Sequence, residues 1–431
     1  MPEPSSFARR PGADRCPGVL RLVEAADGRL ARVRLPGGFV TAGQLRALAR
    51  LAGELGDGRI ELTSRGNVQL RALAARDAGR LTDELAAAGL LPSLDHDRVR
   101  NVLASPLAGL DGGPGLDGVV GALDAGLCAR PRLAGLPGRF LFAVDDGRGD
   151  VAGLGADVTA LVRAGGASVN GLAVSGPSAG SRAARGVAPA VSRSPDRDNR
   201  ADAVAAVMLA FAEAFLDERA ALGSPAWRIA GLPGGTERIR AVVAERLGLP
   251  RAPAPGATPD QGRSPSPVAR PVGAIARHAA GDDGHPDETS PDEAGTDEAG
   301  AAVALLAPLG RLTVDQVSWL ADRVSGTRAR ITPWRGVVLP GQADAAGVLS
   351  EAAGLGFGVD ERSPWRRVTA CAGRPGCASA LADVQADALR LAADWPDRVV
   401  HVSGCARHCG RPAATEIDVT ATSEGYQIAG A

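Results

Sequence analysis

Two stretches of this chain repeat one another, and the repeat limits the available folds more than any other feature. The first copy, GGFVTAGQLRALARLAG…ELTSRGNVQLRAL, starts at Gly37, and the second, LGRLTVDQVSWLADRVSG…ITPWRGVVLPG, starts at Leu309. Thr41, Gln44, Leu48 and Ala49 match Thr313, Gln316, Leu320 and Ala321, and Arg65-Gly66 falls against Arg335-Gly336. Self-similarity on this scale means one supersecondary unit used twice. Each copy reads as strand, helix, strand, turn, strand, helix. Thr41 and Thr313 stand where helix caps belong. Leu45, Leu48 and Leu51 give the first helix its apolar stripe. Asn67 to Arg71 alternates, with Asn67 and Gln69 on one face and Val68 and Leu70 on the other, as a half-buried strand requires.

The predicted fold class is α+β: two ferredoxin-like half-domains related by a pseudo-twofold, each accompanied by an α/β domain. The expected boundaries are an N-terminal segment at 1–30, a first half-domain at 31–95 and a first α/β domain at 96–248. A linker at 249–300 follows, then a second half-domain at 301–362 and a cysteine-bearing domain at 363–431. The linker is rich in Pro, Gly, Asp, Glu, Ser and Thr and poor in large apolar residues. Such a stretch buries too little surface to offset its ordering entropy, so disorder is expected there. Residues 175–200 have a similar character. RFLFAVDD (139–146) and RVVHVSGC read as strands, 203–222 and 378–395 as helices.

Charge narrows the function. Forty-eight basic residues face 49 acidic ones, for a net charge of −1. This balance speaks against nucleic acid or a membrane surface as partner. Every basic residue is Arg, because the sequence contains no Lys. Any anion site must therefore use the planar guanidinium fork, His or backbone N–H groups. No stretch is long and apolar enough to span a bilayer, and no signal-peptide core stands near Met1, so a cytoplasmic protein is expected. In that compartment six cysteines suggest metal or catalysis before disulfides.

Four of the six have a telling arrangement. Cys371 and Cys377 form C-x5-C, and Cys405 and Cys409 form C-x3-C. Thiolates are the usual ligands of iron–sulfur clusters, and Gly373, Gly376, Gly404 and Gly410 allow the backbone to wrap closely around one. Cys377 stands at the start of the expected helix, where a thiolate is favoured. A [4Fe–4S] cluster is the expectation. Structural zinc, which prefers two-to-four-residue spacers, and a disulfide are the alternatives. Cys16 and Cys128 read as buried thiols. His401 and His408 flank the last cysteine pair as candidate hydrogen-bonding or ligating groups.

The cysteine spacing resembles that of the nitrite/sulfite reductase family. LTSRGNVQLR (62–71), DRVRNVLASPLAGLD (97–111) and LPGRFLFAVDDG (136–147) resemble its tetrapyrrole-lining motifs, and the likeness spans most of the chain. It implies that Arg65, Asn67, Gln69, Arg71, Arg100, Asn101 and Arg139 line a tetrapyrrole, with Arg gripping carboxylates bidentately. In the third motif, sirohaem reductases place two lysines one residue apart, facing a small anion. Here those positions are Arg139 and Leu141. Arg is a poor proton donor, and Leu141 can neither hold charge nor move a proton. RCPG (15–18), SPLAGLD, TPWRGVVLPG and VSGCARHCGRP resemble instead the family's oxygen-dependent branch. That branch hydroxylates a precorrin at a ring carbon with lactone formation, using a [4Fe–4S] cluster and a mononuclear non-haem iron. A tetrapyrrole substrate and molecular oxygen are then the expected partners. No well-placed G-x-G-x-x-G is present for a dinucleotide, so a separate reductase should deliver electrons. A sirohaem nitrite or sulfite reductase and a non-catalytic iron–sulfur electron-transfer protein are the alternatives. The sequence names neither a catalytic residue nor a ligand of the mononuclear iron.

Overall fold

The computed structural model describes residues 16–174, 195–249, 271–275, 300–324 and 326–430. The repeat folds into two five-stranded sheets. The first has the order Val23–Ala25, Gly28–Val33, Val68–Leu73, Arg59–Leu62, Arg311–Thr313. The second has the order Gly273–Ile275, Ala301–Leu306, Gly336–Gln342, Ala329–Ile331, Phe39–Val40. Each sheet thus ends on a strand contributed by the other half, and both exchanged strands pair antiparallel.

The helices that follow the exchanged strands explain why the repeat matches where it does. Ala42–Leu55 and Val314–Asp322 both begin on a capping box. The Thr41 hydroxyl accepts from Gln44 N–H while the Gln44 side chain accepts from Thr41 N–H, and Thr313 with Gln316 does the same. Two orphan N–H groups are satisfied at each start. Leu45, Leu48 and Leu51 of one helix and Val317 and Leu320 of the other enter one core shared by both halves. Cutting the chain between residues 275 and 300, at an inserted protease site, is therefore expected to leave the two fragments bound in one particle. Size-exclusion chromatography of the cut protein reads this directly, and fragments eluting separately would contradict it.

Two α/β units flank this centre. In the first, Val102–Ala104, Phe142–Asp145 and Val158–Arg163 run parallel, and Gly166–Val169 and Leu172–Val174 continue antiparallel. The helices Asp117–Cys128, Pro195–Ala221 and Gly235–Arg246 belong to this unit. Its core holds Phe140, Phe142, Phe211 and Phe215. In the second, Val368–Ala370, Val400–Ser403 and Ile417–Thr422 run parallel and Gly425–Ala429 is antiparallel. The common plan of three parallel strands plus an antiparallel edge extends the pseudo-twofold to these units.

The observed elements depart from the sequence reading in three places. Val23–Ala25 and part of Gly28–Val33 lie in the expected N-terminal segment yet belong to the first sheet. Gly273–Ile275 lies in the expected linker yet pairs antiparallel with Ala301–Leu306, so the linker carries an edge strand. The helix expected over 378–395 runs only from Val384 to Ala392, because the Asp383 side chain caps it by accepting from Ala386 N–H. Cys377 thus stands in a loop and not at a helix start. Residues 250–270 and 276–299, the latter with His278 and His285, and residues 175–194 lie outside the described residues.

The outer faces of the two sheets differ. On the second, Ala302, Ala304 and Val338 pack with Leu107 and Leu110 of the first α/β unit. On the first, Arg32, Gln69, Glu61 and Arg311 stand side by side across four strands as register partners. One of two pseudo-equivalent surfaces is sealed by apolar side chains, and the other is lined by polar and charged ones.

Candidate functional site

The cysteine site is built at the carboxyl ends of parallel strands, where open α/β sheets hold their ligands. Val368–Ala370 delivers Cys371, and the neighbouring strand Val400–Ser403 delivers Cys405 two residues after its end. Gly404 N–H donates to Cys371 Sγ at 3.1 Å, and Gln385 Nε2 donates to the Cys371 carbonyl at 3.1 Å. Between Cys371 and Cys377 the chain turns at Gly373, with φ +63°, and through a cis Arg374–Pro375 bond. A side chain at Gly404 would meet Ala380 Cβ at 2.8 Å, so the glycine is required for the loop's close approach. All four cysteines line one cleft of about 510 Å³ together with Glu24, Ala25 and Arg71.

The arrangement suits a cluster better than a single zinc ion. A tetrahedral zinc with Zn–S near 2.3 Å would bring its sulfurs to roughly 3.8 Å from one another. Among the described residues, the group of three ligand atoms mutually within 4.8 Å is Asp145, Asp146 and Asp150, and no three cysteine sulfurs meet that limit. Burial, and then the neighbouring Cys371, Cys405 and Cys377 sulfurs, push the Cys409 thiol up. Four thiolates in this cleft repel one another, and a cationic iron core relieves that repulsion. The donor set and its spacing fit a [4Fe–4S] cluster.

The polar face of the first sheet leads to this cleft. Arg71 holds Asp27 through Nε and Nη2 at 2.9 and 3.0 Å and donates from Nη2 to the Gly376 carbonyl at 2.6 Å. It therefore anchors the loop that carries Cys377. Arg311 Nη1 donates to Gln385 Oε1 at 2.7 Å, a second link from the sheet to the cysteine loops. Gln69 accepts from Arg32 Nε at 2.9 Å and donates to Glu61 Oε2 at 3.0 Å.

The two asparagines perform a different task. Asn67 Oδ1 accepts from Leu35 N–H at 2.9 Å, and Asn67 Nδ2 donates to Asn101 Oδ1 at 3.5 Å. Asn101 Nδ2 donates to the Gly138 carbonyl at 3.0 Å. Both are buried. They tie together the three motifs around 35–67, 97–111 and 136–147, so their hydrogen bonds go to the protein itself.

The arginines divide into two groups. Arg100 is buried, and its Nε and Nη2 each donate to Asp124 at 2.7 Å while Nη1 donates to the Leu90 carbonyl at 3.2 Å. Its fork is turned to the helix Asp117–Cys128 and away from a ligand role. Arg139 is exposed and stacks over the Trp227 ring, 4.5 Å from its centroid. Leu141 is buried in a small apolar cluster with Leu103, Ala143 and Val151. Arg65, by contrast, is half-buried and, among the described residues, donates to the Gly138 carbonyl at 3.5 Å.

Two residues absent from the sequence reading join Arg65: Arg32 and Arg34. The alternation R-V-R over 32–34 is the signal that could have revealed them, since it puts both guanidiniums on the face opposite buried Val33. Burial, then the neighbouring Arg32, lowers the Arg34 guanidinium to about 9, while Asp97 and Cys16 act in the other direction. Burial and then Arg228 lower Arg65, and burial lowers Arg32. On the cysteine side, His401 is fully buried with Nδ1 2.8 Å from Thr369 Oγ1. His408 Nδ1 lies 3.0 Å from Asp418 Oδ2.

Asp145, Asp146 and Asp150 stand at the matching strand ends of the first α/β unit. Asp145 accepts from four backbone N–H groups of 147–152, and Asp146 pairs with Arg148. Burial, with a contrary hydrogen bond from Ser105, raises Asp150 to about 6. The folded state then holds a proton that the unfolded chain releases near pH 4, so this group lowers stability as pH rises from about 4 to about 6. The expected loss is no more than about 3 kcal/mol. Asp150→Asn should flatten the slope of stability in that window, as read by urea titrations at pH 4, 5, 6 and 7. An unchanged slope would contradict it.

Comparison with known proteins agrees with this geometry. The profile described as "Nitrite/Sulfite reductase ferredoxin-like half domain" matches residues 23–88, a span that begins at the first strand. The chain is 28% identical to a ferredoxin–nitrite reductase of Synechococcus elongatus, covering 90% of this chain and 75% of that protein. It is 27% identical to a precorrin-3B synthase of a Sinorhizobium species, covering 96% of this chain and 82% of that protein. The solved structure of the Mycobacterium tuberculosis NirA protein superimposes with a TM-score of 0.62 at 20% identity, over 93% of this chain and 73% of that one. That likeness shows the fold. Among the described residues, no helix is long and apolar enough to cross a membrane. Residues 23–88 thus carry a half domain of the nitrite/sulfite reductase type, and over most of its length the chain is similar to a nitrite reductase and to a precorrin-3B synthase.

Proposed function

We propose that this protein is a precorrin-3B synthase: it hydroxylates precorrin-3A at a ring carbon with molecular oxygen, and a neighbouring acetate closes a lactone. The observation that carries the reading is the fate of the third motif. Arg139 stacks on Trp227 and Leu141 is buried, so this motif offers no pair of proton-donating cations to a small oxyanion. Reduction of sulfite or nitrite needs such donors around the bound anion. The near-full-length similarity to a precorrin-3B synthase supports the same conclusion.

In this reading Cys371, Cys377, Cys405 and Cys409 hold a [4Fe–4S] cluster, which supplies electrons one at a time. Arg71 and Gln385 keep the cysteine loops against the sheet. Arg65 and its neighbours bind substrate carboxylates, and the Asn67–Asn101 pair holds the three motifs in register. The branch's mononuclear iron has no such fit. Among the described residues the one compact acidic trio is occupied by backbone N–H groups and Arg148, so no step is derived through that metal. Electrons come from a separate reductase.

The second reading, a sirohaem-dependent nitrite reductase, is favoured by the equally extensive similarity to the Synechococcus enzyme. A third, an electron carrier without a substrate, would bind the cluster and no tetrapyrrole. The deciding experiment incubates anaerobically purified protein with precorrin-3A, a reductant and then oxygen, and follows product mass. Gain of one oxygen atom is expected. Strong sirohaem bands with nitrite or sulfite turnover would replace the proposal by the second reading.

A further inference from the structure

The turn that carries Arg335 copies a turn of the first half-domain bond for bond. Thr63 N–H donates to the Asn67 carbonyl, Gly66 N–H to the Thr63 carbonyl and Asn67 N–H to the Thr63 hydroxyl. Thr332 N–H donates to the Gly336 carbonyl, Arg335 N–H to the Thr332 carbonyl and Gly336 N–H to the Thr332 hydroxyl. The structural equivalent of Arg335 is therefore Gly66, one residue away from the sequence match. Both adopt the left-handed conformation, with φ +63° at Gly66 and +61° at Arg335. Glycine enters that region freely and arginine does not. The second copy thus puts an arginine where the turn favours glycine, and such strain gathers where a side chain has a task.

The side chain runs from this turn to the cysteine-bearing loops. A side chain at Gly310 would meet Arg335 Cδ at 2.5 Å, so that glycine clears the path of the stem. At the far end Nη2 lies 3.9 Å from where a Gly410 Cβ would stand, next to Cys409. The guanidinium is half-buried, and burial lowers its pKa below the ordinary value while Glu61 acts in the other direction. Its charge reaches beneath the loop. Burial lowers the His401 imidazole to about 4, against Asp418, and Arg335 and Arg411 add to the effect. Other arginines at these loops are held: Arg71 by Asp27 and the Gly376 carbonyl, Arg374 by the Ala380 carbonyl, and Arg411 by Asp418. Among the described residues the Arg335 guanidinium has no hydrogen bond and no ion pair within 4.0 Å. Glu61 is itself engaged by Gln69 and Arg311. Partly buried cations are ordinarily paired, because an uncompensated one is costly.

We propose that Arg335 holds a fixed positive charge at the Cys409 loop and so favours reduction of the cluster that the four cysteines carry. The step concerned is the transfer of one electron from the donor to the cluster. No bond forms or breaks, no proton moves, and the cluster gains one negative charge. A cation close by, in surroundings of low dielectric, stabilises the more negative form. The strain at residue 335 is then the consequence of placing that charge. The inference rests on the cluster reading above and is independent of the substrate, since a hydroxylase and a reductase both need the electron.

The test is a redox titration of the intact, cluster-loaded protein with dithionite and mediators, the reduced cluster being followed by electron paramagnetic resonance. The variants are Arg335→Gln, Arg335→Gly and Arg335→Lys, with iron and sulfide analysis establishing that each is loaded. Arg335→Gln and Arg335→Gly should each lower the equilibrium constant for one-electron reduction about tenfold, a fall of about 59 mV in midpoint potential. Arg335→Lys keeps the charge and should stay within about threefold of the wild type. Arg335→Gly should keep or raise the melting temperature, because glycine suits the turn. That result separates loss of the charge from loss of the fold. Unchanged potentials in loaded Arg335→Gln and Arg335→Gly would refute the inference while the cluster reading stands. A potential in Arg335→Lys as low as in Arg335→Gln would refute the role of charge. Loss of the cluster from Arg335→Gln and Arg335→Gly would make Arg335 a brace of the loop and end the inference as well. A wild type without iron and sulfide overturns the cluster reading and the inference together.

Discussion

On the cluster reading, Cys405→Ser is expected to lack the brown absorption of a [4Fe–4S] protein, to hold only background iron and sulfide, and to have an unfolded C-terminal unit. The effect should be this large because the unit has little else to hold it. Its core consists of ten buried side chains, four of them alanine, around Val368, Val384, Val400, Val402, Ile417 and Val419. A core of that size rarely suffices without a metal or disulfide, and metal binding and folding are one equilibrium in such units. Gly404 N–H, which donates to Cys371 Sγ, links the two cysteine loops. Losing one sulfur ligand should therefore release the other loop as well. Elemental analysis and far-ultraviolet circular dichroism of the variant read both effects. Stoichiometric zinc with no iron or sulfide in the wild type would end the cluster assignment.

Arg100→Ala should cost about 3–5 kcal/mol of stability, the range for breaking one side of a buried ion pair, and should leave ligand affinity unchanged. The side chain is 5% exposed and grips Asp124 with two bonds, so its removal leaves a carboxylate with only weak solvation beside the first α/β core. Replacing both partners, Arg100→Met with Asp124→Leu, should recover most of the loss, since an apolar pair of similar volume needs no counter-charge. Urea titrations of the two variants, beside uroporphyrin titrations, separate this structural role from the binding role proposed for Arg65. Weakened binding in an Arg100→Ala protein of normal stability would show the reverse.

What the sequence revealed and what it hid follow from the range of the interactions concerned. The capping boxes at Thr41 and Thr313 join residues three apart, so the repeat exposes them at once. The cysteine spacing and the alternation that places Gln69 and Arg71 on one face are equally local. Arg100 looked like a ligand residue because its motif matches, but its partner Asp124 lies 24 residues away on a helix. Nothing in the local pattern separates a paired guanidinium from an unpaired one. Arg32 and Arg34 escape the local pattern for the same reason, since what sets them apart is that, among the described residues, their long-range partners are neutral oxygens and not carboxylates. Cys377 reads as a helix start because Ala378, Ala380, Leu381 and Ala382 after it favour helix. The Asp383 cap, six residues later, is the stronger signal. The edge strand Gly273–Ile275 is three residues in a polar stretch, below what periodicity can register.

The exchanged edge strands set an order on biosynthesis. When the first half emerges from the ribosome, the strand Arg59–Leu62 has Val68–Leu73 on one side and an open edge on the other, because its second neighbour is Arg311–Thr313. About 250 residues must be added before that neighbour exists, which takes roughly 10–50 s at ordinary elongation rates. An unpaired edge is an invitation to other chains. This one is short, and Arg59 and Glu61 alternate with buried Ile60 and Leu62. Glu61, which later meets Arg311, and Arg59 thus guard the nascent protein against strand-to-strand aggregation until its own second half arrives.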